Sequence, residues 1–251
     1  SNADITEIHE AHRDLLTRIT SYSGTPTNWS SGLNINSVRN WKIRYWILES
    51  TPLINILERL AFEGGFIGRF NGQGDFQYIF IPNSPSASET LNSSDIADLD
   101  ISSTPVNSLT TKMQIEYEKH PAEDKYINSA TSASANDATL LSNFNIASNE
   151  NQKTIKLDAY VSPTIPTSPS SNKNDDFYSY YDHILGKPRI IISFTVVNTK
   201  YLGLDVGDII AINFNSVVLP FAGSTGWDDY KFMITDLQRS AGSLKITARE
   251  I

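Results

Sequence analysis

His9 and His12 lie three positions apart on a segment whose apolar residues recur at 5, 8, 11, 15, 16 and 19. Two imidazoles one helical turn apart can share a divalent metal. The order His-Glu-Ala-His departs from His-Glu-x-x-His, the arrangement in which one helix supplies two zinc ligands and a general base, and no third ligand suggests itself. Both histidines are therefore expected on the polar, solvent face of a helix over 5–19, with no metal bound. Asp95, Asp98 and Asp100 form a second group. Paired carboxylates serve as acid and base in glycoside hydrolysis, but Asp also favours turns and caps, and nothing places another carboxylate opposite these. Asp205 and Asp208 flank Gly207. There a glycine supplies positive φ and the aspartates bond to local backbone, so the group is a turn rather than a calcium loop.

The glycine clusters carry no phosphate chemistry. Gly64-Gly65-x-x-Gly68 follows a helix instead of opening one, Gly72-x-Gly74 stands between strands, and no Gly-Lys-Ser/Thr or Gly-x-Ser-x-Gly occurs. Without cysteine there is no disulfide, thiolate metal site or cysteine nucleophile. No catalytic, metal or cofactor-binding residue is assigned, and no cofactor is expected. Gly64, Gly65, Asp205, Gly207 and Asp208 are fold determinants. Trp29 and Trp227, both in polar loops, are the candidate interface residues.

At 251 residues, 39% hydrophobic and 10% aromatic, the chain can bury one large core or two ordinary ones. Its net charge of −8 argues against specific nucleic-acid binding, which needs a basic surface. No apolar run approaches the length of a spanning helix, so membrane insertion is not expected. Ser1-Asn2-Ala3 is similar to the remnant of a cleaved expression tag.

The elements follow from period and punctuation. Thr51-Pro52 starts a helix, with Thr as cap, that runs to about residue 62 and stops at Gly64-Gly65. Strands at 66–70 and 76–81 flank Asn71-Gly-Gln-Gly-Asp75, a hairpin signal. The segment 41–48 is a strand or a buried lead-in. Residues 109–119 alternate as a strand, and 154–161 form another. Between them, about 120–152 is expected to be an exposed Ser/Ala/Asn-rich insertion with little core. A Pro/Ser/Asn linker at 162–174 separates a first module, 4–161, from a second, 175–251. The second opens with a short aromatic helix to 185, closed by Gly186, and continues as a small β-barrel. The loop Gly223-Ser-Thr-Gly226 lies between its strands.

These elements in this order resemble the baseplate-hub and tail-tip proteins of tailed bacteriophages and prophages. The resemblance rests on Thr51-Pro-Leu-Ile-Asn-Ile-Leu-Glu-Arg-Leu-Ala-Phe-Glu-Gly-Gly-Phe66 with its Asn-Gly hairpin, on Asp95–Ser102 and on Met113-Gln-Ile-Glu-Tyr117. It continues through Leu204-x-Val-Gly-Asp-Ile-Ile210, Phe232-Met-Ile-Thr-Asp-Leu237 and Leu244-Lys-Ile-Thr-Ala-Arg-Glu250. It covers 41–251 apart from the insertion. It implies a β-rich α+β protein with barrel-like domains of tail-tube type and a few short helices. It also implies a virion structural role without enzymatic activity, in a homo-oligomeric ring such as a trimer that contacts other tail proteins. The location implied is the virion tail, with the host cytoplasm during assembly. Two other classes stay open at this stage: a carbohydrate-binding β module presenting aromatic rings, and a cell-wall glycoside hydrolase using Asp95, Asp98 or Asp100.

Overall fold

The computed structural model describes residues 5–29, 34–147, 150–162, 168–218, 225–240 and 242–251. In chain order the elements begin with α1 (Ile8–Ile19), α2 (Ile35–Val38), β1 (Lys42–Ile43), α3 (Leu53–Gly64), β2 (Ile67–Phe70) and β3 (Phe76–Ile79). Next come β4 (Glu89–Asn92), β5 (Ile96–Ser103), β6 (Lys112–Lys119), β7 (Tyr126–Ala133) and α4 (Asp137–Phe144). The remainder is β8 (Gln152–Lys156), β9 (Tyr160–Val161), α5 (Phe177–Leu185), β10 (Ile190–Val196), β11 (Ile209–Val218), β12 (Thr225–Ser240) and β13 (Ser243–Glu250). The protein is thus α+β. It divides into two compact units, each built from two stretches of chain: residues 1–83 with 109–187, and residues 84–108 with 188–251.

In the first unit α3 begins at Leu53, after Pro52, and the expected threonine cap is not made; the Thr51 hydroxyl donates to the Glu49 carbonyl instead. The helix ends on Gly65 at φ +66, a left-handed position that favours glycine. A Cβ there would also meet the Trp41 ring at 2.8 Å. Gly65→Ala is therefore expected to lower stability by about 2 kcal/mol, read from the urea midpoint. Beyond it β2 and β3 pair antiparallel across the predicted turn, where the Asn71 Oδ1 accepts from the backbone N–H groups of Gln73 and Asp75.

The expected insertion is ordered. β7 pairs antiparallel along the length of β6, while β8 pairs parallel on its other side. α4 places Leu140 in a small cluster with Leu109 and Ile146. The residues that β7 buries are Ala130 and Ser132. Side chains that small carry almost no hydropathic signal, so the strand reads as a polar loop. The expected module boundary moves as well. α5 belongs to the first unit, where Phe177, Tyr178 and Tyr180 pack with Trp41, Met113 and Tyr160. Gly186 closes the helix, and at its start the Asp176 carboxylate accepts from the Ser179 N–H at 2.7 Å. Residues 163–167 of the expected linker lie outside the described residues.

The second unit is a six-stranded sheet in the order β4-β11-β12-β13-β10-β5. It takes β4 and β5 from the chain expected in the first module. Neighbours are antiparallel except β4 and β11, which run parallel. Among the described residues the two edge strands do not pair, so the order is open rather than that of a closed barrel. Alternate residues of β10 and β13 are buried: Ile190, Ile192, Phe194 and Val196 face Leu244, Ile246 and Ala248 in one core. The 205–208 turn forms as expected. Gly207 has φ +93, and the Asp208 and Asp205 carboxylates accept from the N–H groups of Asp205 and Val206.

Candidate functional site

An apolar groove of about 820 Å3 runs along the first unit between α1, α3 and the β2–β3 hairpin. It follows from the spacing in α3. Leu53, Ile54, Leu57 and Ala61 fall on one helical stripe, while Ile56 and Leu60 turn to the core behind it. The hairpin supplies the opposite wall with Ile67, Phe70 and Phe76. Ile54 and Ile67 are 59% and 62% exposed and Phe70 is 52% exposed, so the groove's lips are apolar and open to solvent. An exposed patch of this kind marks a contact surface in soluble proteins.

His12 lines this groove and is 2% exposed; His9 is 1% exposed. Both depart from the expected solvent face, because α1 is covered on two sides. His9, His12 and Leu16 form a buried stripe, and Ile8 enters the neighbouring core. The His12 Nδ1 lies 3.0 Å from the Tyr78 hydroxyl, and its ring meets Phe66 edge-on at 5.1 Å. Burial lowers its pKa to about 4, so it is neutral at physiological pH. Burial also lowers that of His9, whose Nε2 lies 3.3 Å from the Asn36 Oδ1. Among the described residues no three His, Asp, Glu or Cys side chains are grouped to hold a metal.

The polar cluster that the sequence did not reveal centres on Glu63, which is 0% exposed at the last turn of α3. Its carboxylate accepts from the backbone N–H groups of Asp158, Ala159 and Tyr160 at 2.7–2.8 Å and from the Arg59 Nε at 2.6 Å. The Arg59 guanidinium reaches on to the Lys156 carbonyl and the Asp158 carboxylate, and the Tyr126 hydroxyl donates to Asp158 at 2.6 Å. Burial pushes the Glu63 carboxyl up, opposed by Arg59 and by the three backbone donors. Every contact uses it as an acceptor. The arrangement clamps α3 to the turn between β8 and β9.

Of the three aspartates, Asp95 takes a capping place, while Asp98 and Asp100 lie in β5. Asp95 accepts from the Asn92 N–H at 3.0 Å and from the Tyr201 hydroxyl at 3.2 Å, closing a short helical turn at Ser93–Asp95. Asp98 sits at φ +54 and Asp100 on an exposed strand face. The three do not meet across a cleft. The Asn92 N–H, with Asn198 and Tyr201, holds the Asp95 carboxyl below its usual value. Stability from such a group is complete above the unfolded pKa, near about 4, and is lost as pH falls through the lower folded value. Asp95→Asn is expected to lower the melting temperature at pH 7, with the deficit shrinking below about pH 4 in a melting series.

The two candidate interface tryptophans are buried, Trp29 at 9% and Trp227 at 0% exposed. Arg13 covers the Trp29 ring at 4.5 Å, and Trp227 packs on Tyr230 and Phe232. Residues 219–224, including part of the expected Gly223–Gly226 loop, lie outside the described residues. The exposed tryptophan is Trp46 at 54%, followed by Ile47 at 49% and Leu48 at 69%. An apolar run reads as buried in a sequence, so nothing local marks this one as open.

The described residues thus offer open contact surfaces on an α+β fold of the phage tail type. Two solved structures share that fold. The virion of a native gene transfer agent particle holds a chain matched at TM-score 0.59 and 11% identity, over 98% of this chain and 47% of that one. A tail protein from Neisseria meningitidis MC58 matches at TM-score 0.53 and 11% identity, over 100% of this chain and 69% of the other. The chain therefore spans about half the length of the gene transfer agent chain that it matches. No family model and no curated protein matches the chain.

Proposed function

We propose that this chain is a structural component of a phage or prophage tail tip, of the baseplate-hub kind, acting by assembly with other tail proteins and without catalysis. The observation that carries the reading is the likeness to a tail protein and a virion component over 98–100% of this chain. The open apolar groove supports it, because assembly needs surfaces that the isolated chain leaves unburied. A homo-oligomeric ring, such as a trimer, in the virion tail and formed in the host cytoplasm is the arrangement this role would take. Gold labelling of the protein in purified particles tests it: label is expected at the tail tip, and label absent from the tail overturns the reading. Replacing Ile54 and Ile67 together by aspartate is expected to cut incorporation by about tenfold or more while leaving the melt unchanged, since both side chains are exposed.

A further inference from the structure

Trp46, Ile47 and Leu48 are the only three consecutive large apolar residues left exposed among the described residues. Their backbone is open too. The Arg44 N–H donates to the Ala159 carbonyl at 2.8 Å, and over 45–48 no further hydrogen bond is made among the described residues. This stretch and the β6–β7 turn at 119–124 line a second cleft, of about 620 Å3. Its charged lining is one-sided: Glu49, Glu123, Asp124 and Asp158 face a single lysine, Lys119. That lysine is already held by Asp124 at 3.2 Å and Asp158 at 3.8 Å, while Arg59 also pairs with Asp158 and Lys125 with Glu123. Glu49 has no cation partner among the described residues.

We propose that this cleft docks an extended segment of a different protein, apolar on one face and carrying lysine or arginine on the other, added as a strand alongside 45–48. The inference rests on the assembly role proposed above and names the kind of partner. Each part of the site supplies one need of strand addition: free N–H and C=O groups for the ladder, an apolar seat at Trp46–Leu48, and carboxylates that select a cationic partner. A second copy docking through the same cleft is the poorer occupant, because its Glu49, Glu123 and Asp124 would face their equivalents.

Short labelled peptides alternating valine with lysine, serine or glutamate, titrated with the whole chain and read by fluorescence anisotropy, test the proposal. The lysine peptide is expected to bind about tenfold or more tighter than the serine peptide, with the glutamate peptide weakest. Trp46→Ala and Glu49→Lys are each expected to weaken it by about fivefold or more. Their melting curves should not move, as both side chains are exposed. Equal binding of all peptides, binding of none, or lysine-peptide binding indifferent to both substitutions overturns the proposal. So does sedimentation equilibrium showing self-association that Trp46→Ala abolishes, which would assign the cleft to a second copy. Each of these outcomes leaves the tail-tip reading to the labelled-particle experiment, which decides it separately.

Discussion

Glu63→Ala is expected to destabilise the first unit by roughly 3–5 kcal/mol, chiefly because buried backbone donors lose their acceptor. The residue is 0% exposed and accepts from the backbone N–H groups of Asp158, Ala159 and Tyr160 and from Arg59. Alanine would leave two of those backbone donors, at Ala159 and Tyr160, buried without an acceptor. It would also loosen Arg59 from the pair that fixes its guanidinium. Each orphaned donor costs about 1–3 kcal/mol, so the sum falls in that range even after partial relaxation. Glu63→Gln keeps the shape but turns an NH2 towards backbone donors, and an intermediate loss is expected. Urea unfolding followed by tryptophan emission in a Trp227→Phe background reads the first unit alone, because Trp29, Trp41 and Trp46 all lie in it. A Glu63→Gln variant as stable as the parent would show that the carboxylate is not the clamp.

The second large effect concerns Arg39, 2% exposed and without a carboxylate partner among the described residues. Its guanidinium lies 4.3 Å from the ring centres of both Trp41 and Tyr180 and donates to the Gly65 carbonyl at 3.0 Å. Its Nε and Nη1 atoms have no hydrogen-bond partner among the described residues. Burial lowers its pKa to about 10, which still leaves it charged at pH 7. Two terms therefore oppose each other: the packed, ring-stacked side chain stabilises, and the unpaired buried charge does not. Arg39→Ala removes the packing and opens a cavity, for an expected loss of about 3 kcal/mol. Arg39→Met keeps most of the volume and removes the charge, and is expected to lie within about 1 kcal/mol of the parent or above it. The same unfolding measurement distinguishes the two terms. A methionine variant as unstable as the alanine variant would mean that the cation–π contacts, and not the volume, hold the site together.

Much of the local structure was legible in the residues. The Pro52 start, the Gly64-Gly65 stop and the Asn71–Asp75 turn place α3 and its hairpin within a few residues of their observed ends. The alternation in β6 and the Asp205–Asp208 turn are likewise short-range signals, and these elements form where the pattern puts them. Other features depended on partners far away in the chain. Glu63 looks like any helix-surface glutamate until the backbone at 158–160, some 95–97 residues on, closes over it. His9 and His12 look exposed until Trp29, Phe66 and Tyr78 cover the second side of α1. β7 looks like an insertion until β6 supplies its ladder.

The division reflects range. Periodicity, capping and turn chemistry act within one turn or one strand, so the amino-acid sequence by itself determined that this is an α+β chain with α1, α3, α5, the β2–β3 hairpin and the alternating strand β6. Burial, strand partnership and the membership of the two units depend on which distant segments meet. The tertiary structure alone decided that β4 and β5 join the C-terminal sheet, that Trp29 and Trp227 are core, and that the groove and Trp46–Leu48 are left open.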